Sequence, residues 1–237
     1  MLSQYLYRDA AEVFVAEPAG RERDLGLAAA LLNEPPVTAG KIERAQQLLA
    51  DVAAGGMDET GAYARYLLAR IKHAHLSAPV TEVEQAYRAI LAASPGSVAA
   101  QLAAAQLALV QLYQRPDLAV EARIAGAAAL AVVAGNRRLP GIAAAYYQQL
   151  AGAALFYRVT DARVLGWLET AYRIGLSTPI EQSTLALQTA EVARELGQRD
   201  IALDYYQRFL ASAVATDQRY HTVETRMNEL RGTEGGR

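Results

Sequence analysis

Three histidines, no cysteine and 25 acidic side chains set the chemistry open to this chain of 237 residues. His73 and His75 stand two apart, so on a helix they point in different directions and cannot share a metal ion, and His221 is isolated near the end. Without cysteine there is no disulfide framework, thiolate zinc site or thiol nucleophile. The sequences His-Glu-x-x-His, Gly-x-Ser-x-Gly and Gly-x-x-x-x-Gly-Lys are absent. The glycines between Gly20 and Gly26 follow no strand, which a dinucleotide loop requires. Glu43, Asp51, Glu82 and Glu84 fall in helical stretches with arginine neighbours, and Glu191 and Glu195 read as a solvated face, not an acid/base pair. The expectation is a protein that is not an enzyme, with no catalytic residue, no metal site and no cofactor.

Tyrosine is the richer resource. There are 13, and Tyr63, Tyr66, Tyr146, Tyr147, Tyr157, Tyr172, Tyr205 and Tyr206 fall within or at the ends of helical stretches. A tyrosine at a groove offers a wide contact with little entropy to lose, plus a hydroxyl for a peptide backbone.

Helices must position these side chains. Start signals are sharp: Thr178-Pro179-Ile180-Glu181 is a capping box with proline at the first helical position, and Thr81-Glu82-Val83-Glu84 repeats the box pattern. Asp58, Ser97, Asp117 and Asp161 each precede an apolar-periodic run, where a side-chain oxygen can accept from an orphan N–H. Breakers at Pro35-Pro36, Gly55-Gly56, Pro79, Pro95-Gly96, Pro116, Gly135-Asn136, Pro140-Gly141, Gly175 and Gly197 separate the runs. Tyr63, Leu67, Ile71 and Ala74 form one stripe of helical period; Val98, Leu102, Ala105, Leu109 and Leu112 form another, and Ala202, Tyr206, Phe209 and Ala213 a third. Alanine, 50 residues, and leucine, 30, dominate, and Val13-Phe14-Val15, the best strand candidate, is too short to matter. The pattern predicts helices over 22–33, 39–54, 59–76, 80–93, 97–113, 117–134, 138–157, 161–174, 179–196, 199–215 and 217–231.

Short connections make sequential helices antiparallel neighbours. Ten of the eleven pair off, with second members starting near 39, 80, 117, 161 and 199, a recurrence of roughly 40 residues that points to stacked hairpins. The expected fold is all-α: an α-solenoid of about five helix pairs with a C-terminal capping helix. It fills one helical-repeat domain over 1–237, with a poorly defined segment over 1–20, pairs and cap over 22–231 and a flexible tail over 232–237.

The run from Glu195 to Leu210 resembles the turn and second helix of a tetratricopeptide repeat. Gly197 opens the turn, Ala202 takes the small position, Tyr206 the aromatic one, and Ala190 suits the small position of the first helix. Ala86 to Ser97 resembles the end of such a repeat, with Tyr87 inside the helix and Pro95 ending it. Ala186 stands where the family has an aromatic, Phe209 is large where a small residue is usual, and the period exceeds the family's. The stretch from Ser97 to Leu107 is similar to bacterial cell-envelope members. The resemblance implies a right-handed superhelix that binds a peptide on the concave face built by the first helices. The family's carboxylate clamp is not carried over, because its positions read Leu187 and Glu191. On the first helices the peptide-binding candidates are Tyr66, Arg70, Gln101, Tyr146, Gln149, Gln188 and Glu191, with His73 beside them.

The expected role is a non-catalytic scaffold docking a protein or peptide. The alternatives are a self-assembling or spacer region of a larger, cell-envelope protein, a homo-oligomer among them, and an enzyme or small-ligand binder with an unrecognised site. With 23 basic against 25 acidic residues, a nucleic acid is not the expected partner. Two lysines against 21 arginines fit a GC-rich coding bias. The low-charge, alanine-rich stretch 124–136 is too short to span a bilayer, and the start of the chain does not read as a secretory signal. The reading is therefore cytoplasmic as the chain is written, or periplasmic for a domain cut from a longer protein.

Overall fold

The computed structural model describes residues 6–213 and 217–232. Among them are thirteen helices and no strand. They are α1 (Tyr7–Ala16), α2 (Arg21–Asn33), α3 (Ala39–Ala54), α4 (Glu59–Ala74), α5 (Val80–Ala93), α6 (Val98–Tyr113), α7 (Val120–Ala128), α8 (Ala131–Ala134), α9 (Pro140–Phe156), α10 (Ala162–Ile174), α11 (Pro179–Glu195), α12 (Arg199–Ser212) and α13 (Arg219–Gly232). Residues 1–5, part of the segment expected to be poorly defined, and 233–237 of the expected tail lie outside the described residues; within 6–20, α1 forms and carries Val13-Phe14-Val15.

Local chemistry sets most boundaries. Asp58 accepts from the Gly61 amide at 2.9 Å, Ser97 from Ala100 at 3.0 Å, and Asp161 from Arg163 at 2.8 Å. Thr178 and Glu181 form the full capping box over Pro179. Gly175 and Gly197 follow α10 and α11 at φ 97° and 70°, where a side chain would be strained. Two expected caps do not form. The N-cap of α5 is Pro79, not Thr81, because the fixed proline dihedral already sets the entry and its carbonyl accepts from the Val83 amide. Asp117 is held by the Arg115 guanidinium at 2.7 and 2.9 Å, and the next helix starts only at Val120.

The fold divides into two compact units: one running to Asp117 and including Leu130–Ala134, the other comprising Leu118–Ala129 and the chain from Gly135 onward. In the first unit α1 packs on α2, α2 on α3, α3 on α4, α4 on α5 and α5 on α6, and the alternate helices α2, α4 and α6 also touch in turn. One core cluster joins Ala10, Leu27, Leu49, Val52 and Ile71, with Phe14 packed against it. A second joins Tyr66, Val83, Tyr87, Ile90, Leu107 and Val110. In the second unit α9 pairs with α10, α11 with α12, and α13 lies on α12.

The helix expected over 117–134 is split at Ala129–Leu130, because its two halves have different partners: α7 packs on α9, and α8 on α6. The stripe expected on α6 is also corrected. Ala99, Ala103, Ala104, Leu107 and Val110 are fully buried while Leu102, Ala105 and Leu109 are only half-buried, as in a helix apolar nearly all round.

Candidate functional site

Helix ends account for two residues that the sequence places in a binding groove. A helix end leaves carbonyls without intrahelical donors. The Tyr146 hydroxyl donates to the Ala127 carbonyl at the end of α7, at 2.8 Å, and the Gln101 amide donates to the Ala134 carbonyl at the end of α8, at 3.2 Å. Tyr146 is 4 % exposed and Gln101 fully buried, so neither lines a peptide groove. Tyr66 is corrected in the same way: it is buried on α4, with ring centroids 5.7 Å from Tyr63 and 6.4 Å from Tyr87. Burial holds all three phenols, Tyr66, Tyr87 and Tyr146, above the ordinary tyrosine range.

Glu191 is engaged within its own unit. It accepts from Tyr206 at 2.6 Å and from Arg194 at 3.1 Å, and it pairs with Arg226, tying α11 to α12 and α13. Burial, then the bond to Glu191, pushes the Tyr206 phenol up to about 12. Arg70 and Gln188 are half-buried and Gln149 is exposed. Of the residues read from sequence as repeat positions, Ala190, Ala202, Tyr206 and Tyr87 are fully buried, and Gly197 and Pro95 lie in turns.

Several polar side chains tie the helices together. His73 contacts the Tyr87 hydroxyl at 3.2 Å and Gln114 at 2.9 Å, and burial lowers its pKa, favouring the neutral ring. Glu84, read from sequence as a helical carboxylate with arginine neighbours, is buried where Arg115 donates to it at 2.9 and 3.1 Å and Gln111 adds a third bond. Arg21 reaches from α2 to the Val52 carbonyl and makes a two-pronged bond to Asp58 at 2.7 and 2.8 Å, locking the α3–α4 turn. The guanidinium and the Gly61 amide hold the Asp58 carboxyl down at about 2. No group of three or more histidine or acidic side chains is placed to hold a metal among the described residues. No helix among them is long and apolar enough to cross a membrane.

Two recesses between helices bear on recognition. In the second unit a recess is bordered by Glu169, Tyr172, Arg173, Tyr205 and Arg208. Its tyrosine rings meet edge to face at 5.1 Å, and Arg208 lies 5.4 and 4.8 Å from their centroids while pairing with Asp204 at 2.8 Å. Arg208 is thus already occupied by rings and a carboxylate.

The other is a groove of about 420 Å³ in the first unit. Arg65, Leu68, Ala69 and Lys72 line it from α4, Ala86, Ala89, Ile90 and Ala93 from α5, and Gln46 from α3. Both long stripes have the spacing i, i+3, i+4, i+7, which keeps four side chains on one helical face over two turns. Tyr66 and Arg70 lie on a different stripe of α4, and none of the seven expected residues lines this groove. Ala69 and Ile90 are buried at its base, and Ala89, Ala93 and Lys72 are exposed. The signal for it was in the sequence as an alanine stripe on α5 facing two cations on α4, which composition alone does not separate from ordinary helix packing.

No protein-family model and no curated protein matches this chain.

Proposed function

We propose that the chain is a non-catalytic scaffold of tetratricopeptide-like helix pairs, stacked as a right-handed solenoid, that docks a polypeptide partner. The groove between α4 and α5 carries this reading, and it replaces the first-helix face named from sequence. It presents Leu68, Ala86, Ala89 and Ala93 over two helical turns, with Ala69 and Ile90 buried at its base. Pairing in sequence order, the contacts among α2, α4 and α6, and the burial of Ala190, Ala202 and Tyr206 support the repeat reading. An exposed apolar strip with a polar rim is the usual form of a protein-docking surface.

A photo-crosslinking amino acid at Ala89, compared with one at Gln149 on α9, tests the location in cells of the native source. The expected result is a polypeptide adduct at Ala89 that the groove-filling change Ala93→Trp suppresses. An adduct at Gln149 with none at Ala89 would return the interaction to the first-helix face. Adducts of the chain with itself would make self-assembly its role.

A further inference from the structure

Resting on the docking reading, we infer that the occupant of the α4–α5 groove is an amphipathic helix of a partner polypeptide with an acidic flank. Three observations point to it.

The first is register. The α4 stripe (residues 65, 68, 69, 72) and the α5 stripe (residues 86, 89, 90, 93) have the same spacing and length, about 10.5 Å at 1.5 Å per residue. Two matched helical stripes form the seam into which a third helix lays its own i, i+3, i+4, i+7 face. An extended strand repeats every two residues and would match neither stripe.

The second is side-chain size. Four of the nine lining residues are alanine, at 69, 86, 89 and 93. Small residues let a helix backbone come close, leaving the bulk to be supplied by leucine-like side chains of the incoming helix.

The third is charge. Arg65 and Lys72, seven residues apart on α4, are the charged residues lining the groove. Neither makes an ion pair with a carboxylate among the described residues. Arg65 donates to the Ala53 carbonyl at the end of α3, and its Nη1 is buried with no hydrogen-bond partner. Lys72 is exposed in the last turn of α4, where the helix dipole tolerates a cation but supplies no counter-charge. In a chain with only two lysines and a net charge of −2, this groove is a local positive strip, complementary to carboxylates one or two turns apart on a docked helix.

The test is a displayed library of 16-residue helix-favouring peptides, with leucine fixed at i, i+3, i+4 and i+7 and the flanking positions varied among Glu, Gln and Lys. It is selected on the whole chain, and clones that still bind Ala89→Trp are discarded. Circular dichroism confirms that Ala89→Trp and Lys72→Glu retain the wild-type fold. The groove-dependent clones should be rich in Glu, and selection on Lys72→Glu should shift them toward Lys. A selected acidic peptide should bind Lys72→Gln about two- to fivefold more weakly by fluorescence anisotropy. Groove-dependent clones with no excess of Glu, or with no response to Lys72→Glu, overturn the acidic helix and leave the docking site standing. If no clone depends on the groove, the docking reading fails together with the inference.

Discussion

Changing glycine to alanine should shift stability in opposite directions at different points of this chain. Gly61 is the third residue of α4, and its amide donates to Asp58. A Cβ there would stand under 3.0 Å from the Gly56 carbonyl oxygen and 3.1 Å from its carbon. The obstruction is backbone, so the α3–α4 turn itself would have to move, and Arg21 packs against that turn. Overpacking of this kind costs up to ~3 kcal/mol, against a helix-propensity gain of ~1 kcal/mol, for a net loss of ~2 kcal/mol. Gly152 in α9 and Gly166 in α10 are mid-helix with no atom within 4 Å of an added Cβ. Alanine at either should stabilise by ~1 kcal/mol. In a chain of this size ~1 kcal/mol moves the melting temperature by about 2–4 °C. Gly61→Ala should therefore melt about 4–8 °C lower, and Gly152→Ala and Gly166→Ala about 2–4 °C higher. Gly40→Ala, also free of neighbours within 4 Å and in the same unit as Gly61, is the local control and should not lose stability. Thermal melts followed by circular dichroism decide the matter. If Gly61→Ala melts with or above the wild type, the close approach of α4 to the Gly55-Gly56 turn is wrong.

Other predictions follow from single interactions. Tyr146→Phe leaves the Ala127 carbonyl without its hydroxyl donor and should cost ~1–3 kcal/mol by urea unfolding, whereas a tyrosine serving only a partner would cost nothing. Ala202→Arg forces a long cation into a fully buried site on α12 and should cost ~2 kcal/mol or more in a thermal melt; an unchanged midpoint would mean that the repeat alignment is wrong. His73 has a folded pKa below its unfolded value of about 6.5, so between the two values the unfolded chain binds the extra proton. Its contribution is therefore full above pH ~6.5 and declines as pH falls toward the folded midpoint. NMR titration should place His73 below the ordinary histidine value of about 6.5, and His73→Gln should flatten the pH dependence of stability in that window.

What could be read from the sequence divides by the range of the interaction. Helix ends are set by a few adjacent residues, and Asp58, Ser97, Asp161 and Thr178 cap the helices that their positions announce. Pairing was legible because connections of a few residues leave consecutive helices little choice but to lie side by side. The break at Ala129 was not. No proline stands there, the nearest glycine, Gly126, sits inside α7, and the cause is a difference in partners, with α7 packing on α9 and α8 on α6. The expected binding face fails for a related reason, since its side chains are used by tertiary contacts. Polar and aromatic residues on the first helices looked free for a ligand. Tyr146 instead donates to the Ala127 carbonyl that the split opens, Gln101 to the Ala134 carbonyl at the end of α8, and Glu191 accepts from Tyr206 and pairs with two arginines.

A helical fold rich in alanine has fewer large side chains with which to fix its geometry, so helix ends in its interior depend on the long polar side chains nearby. The residues most conspicuous in such a sequence are then those the fold consumes. A surface left for recognition is more readily found where alanine meets unpaired charge, as along Ala86, Ala89 and Ala93 facing Arg65 and Lys72. This has a consequence for mutagenesis. Tyr66→Ala and Tyr146→Ala would remove core side chains and lose a partner through unfolding, whereas Ala89→Trp and Lys72→Glu change exposed positions and report on binding itself.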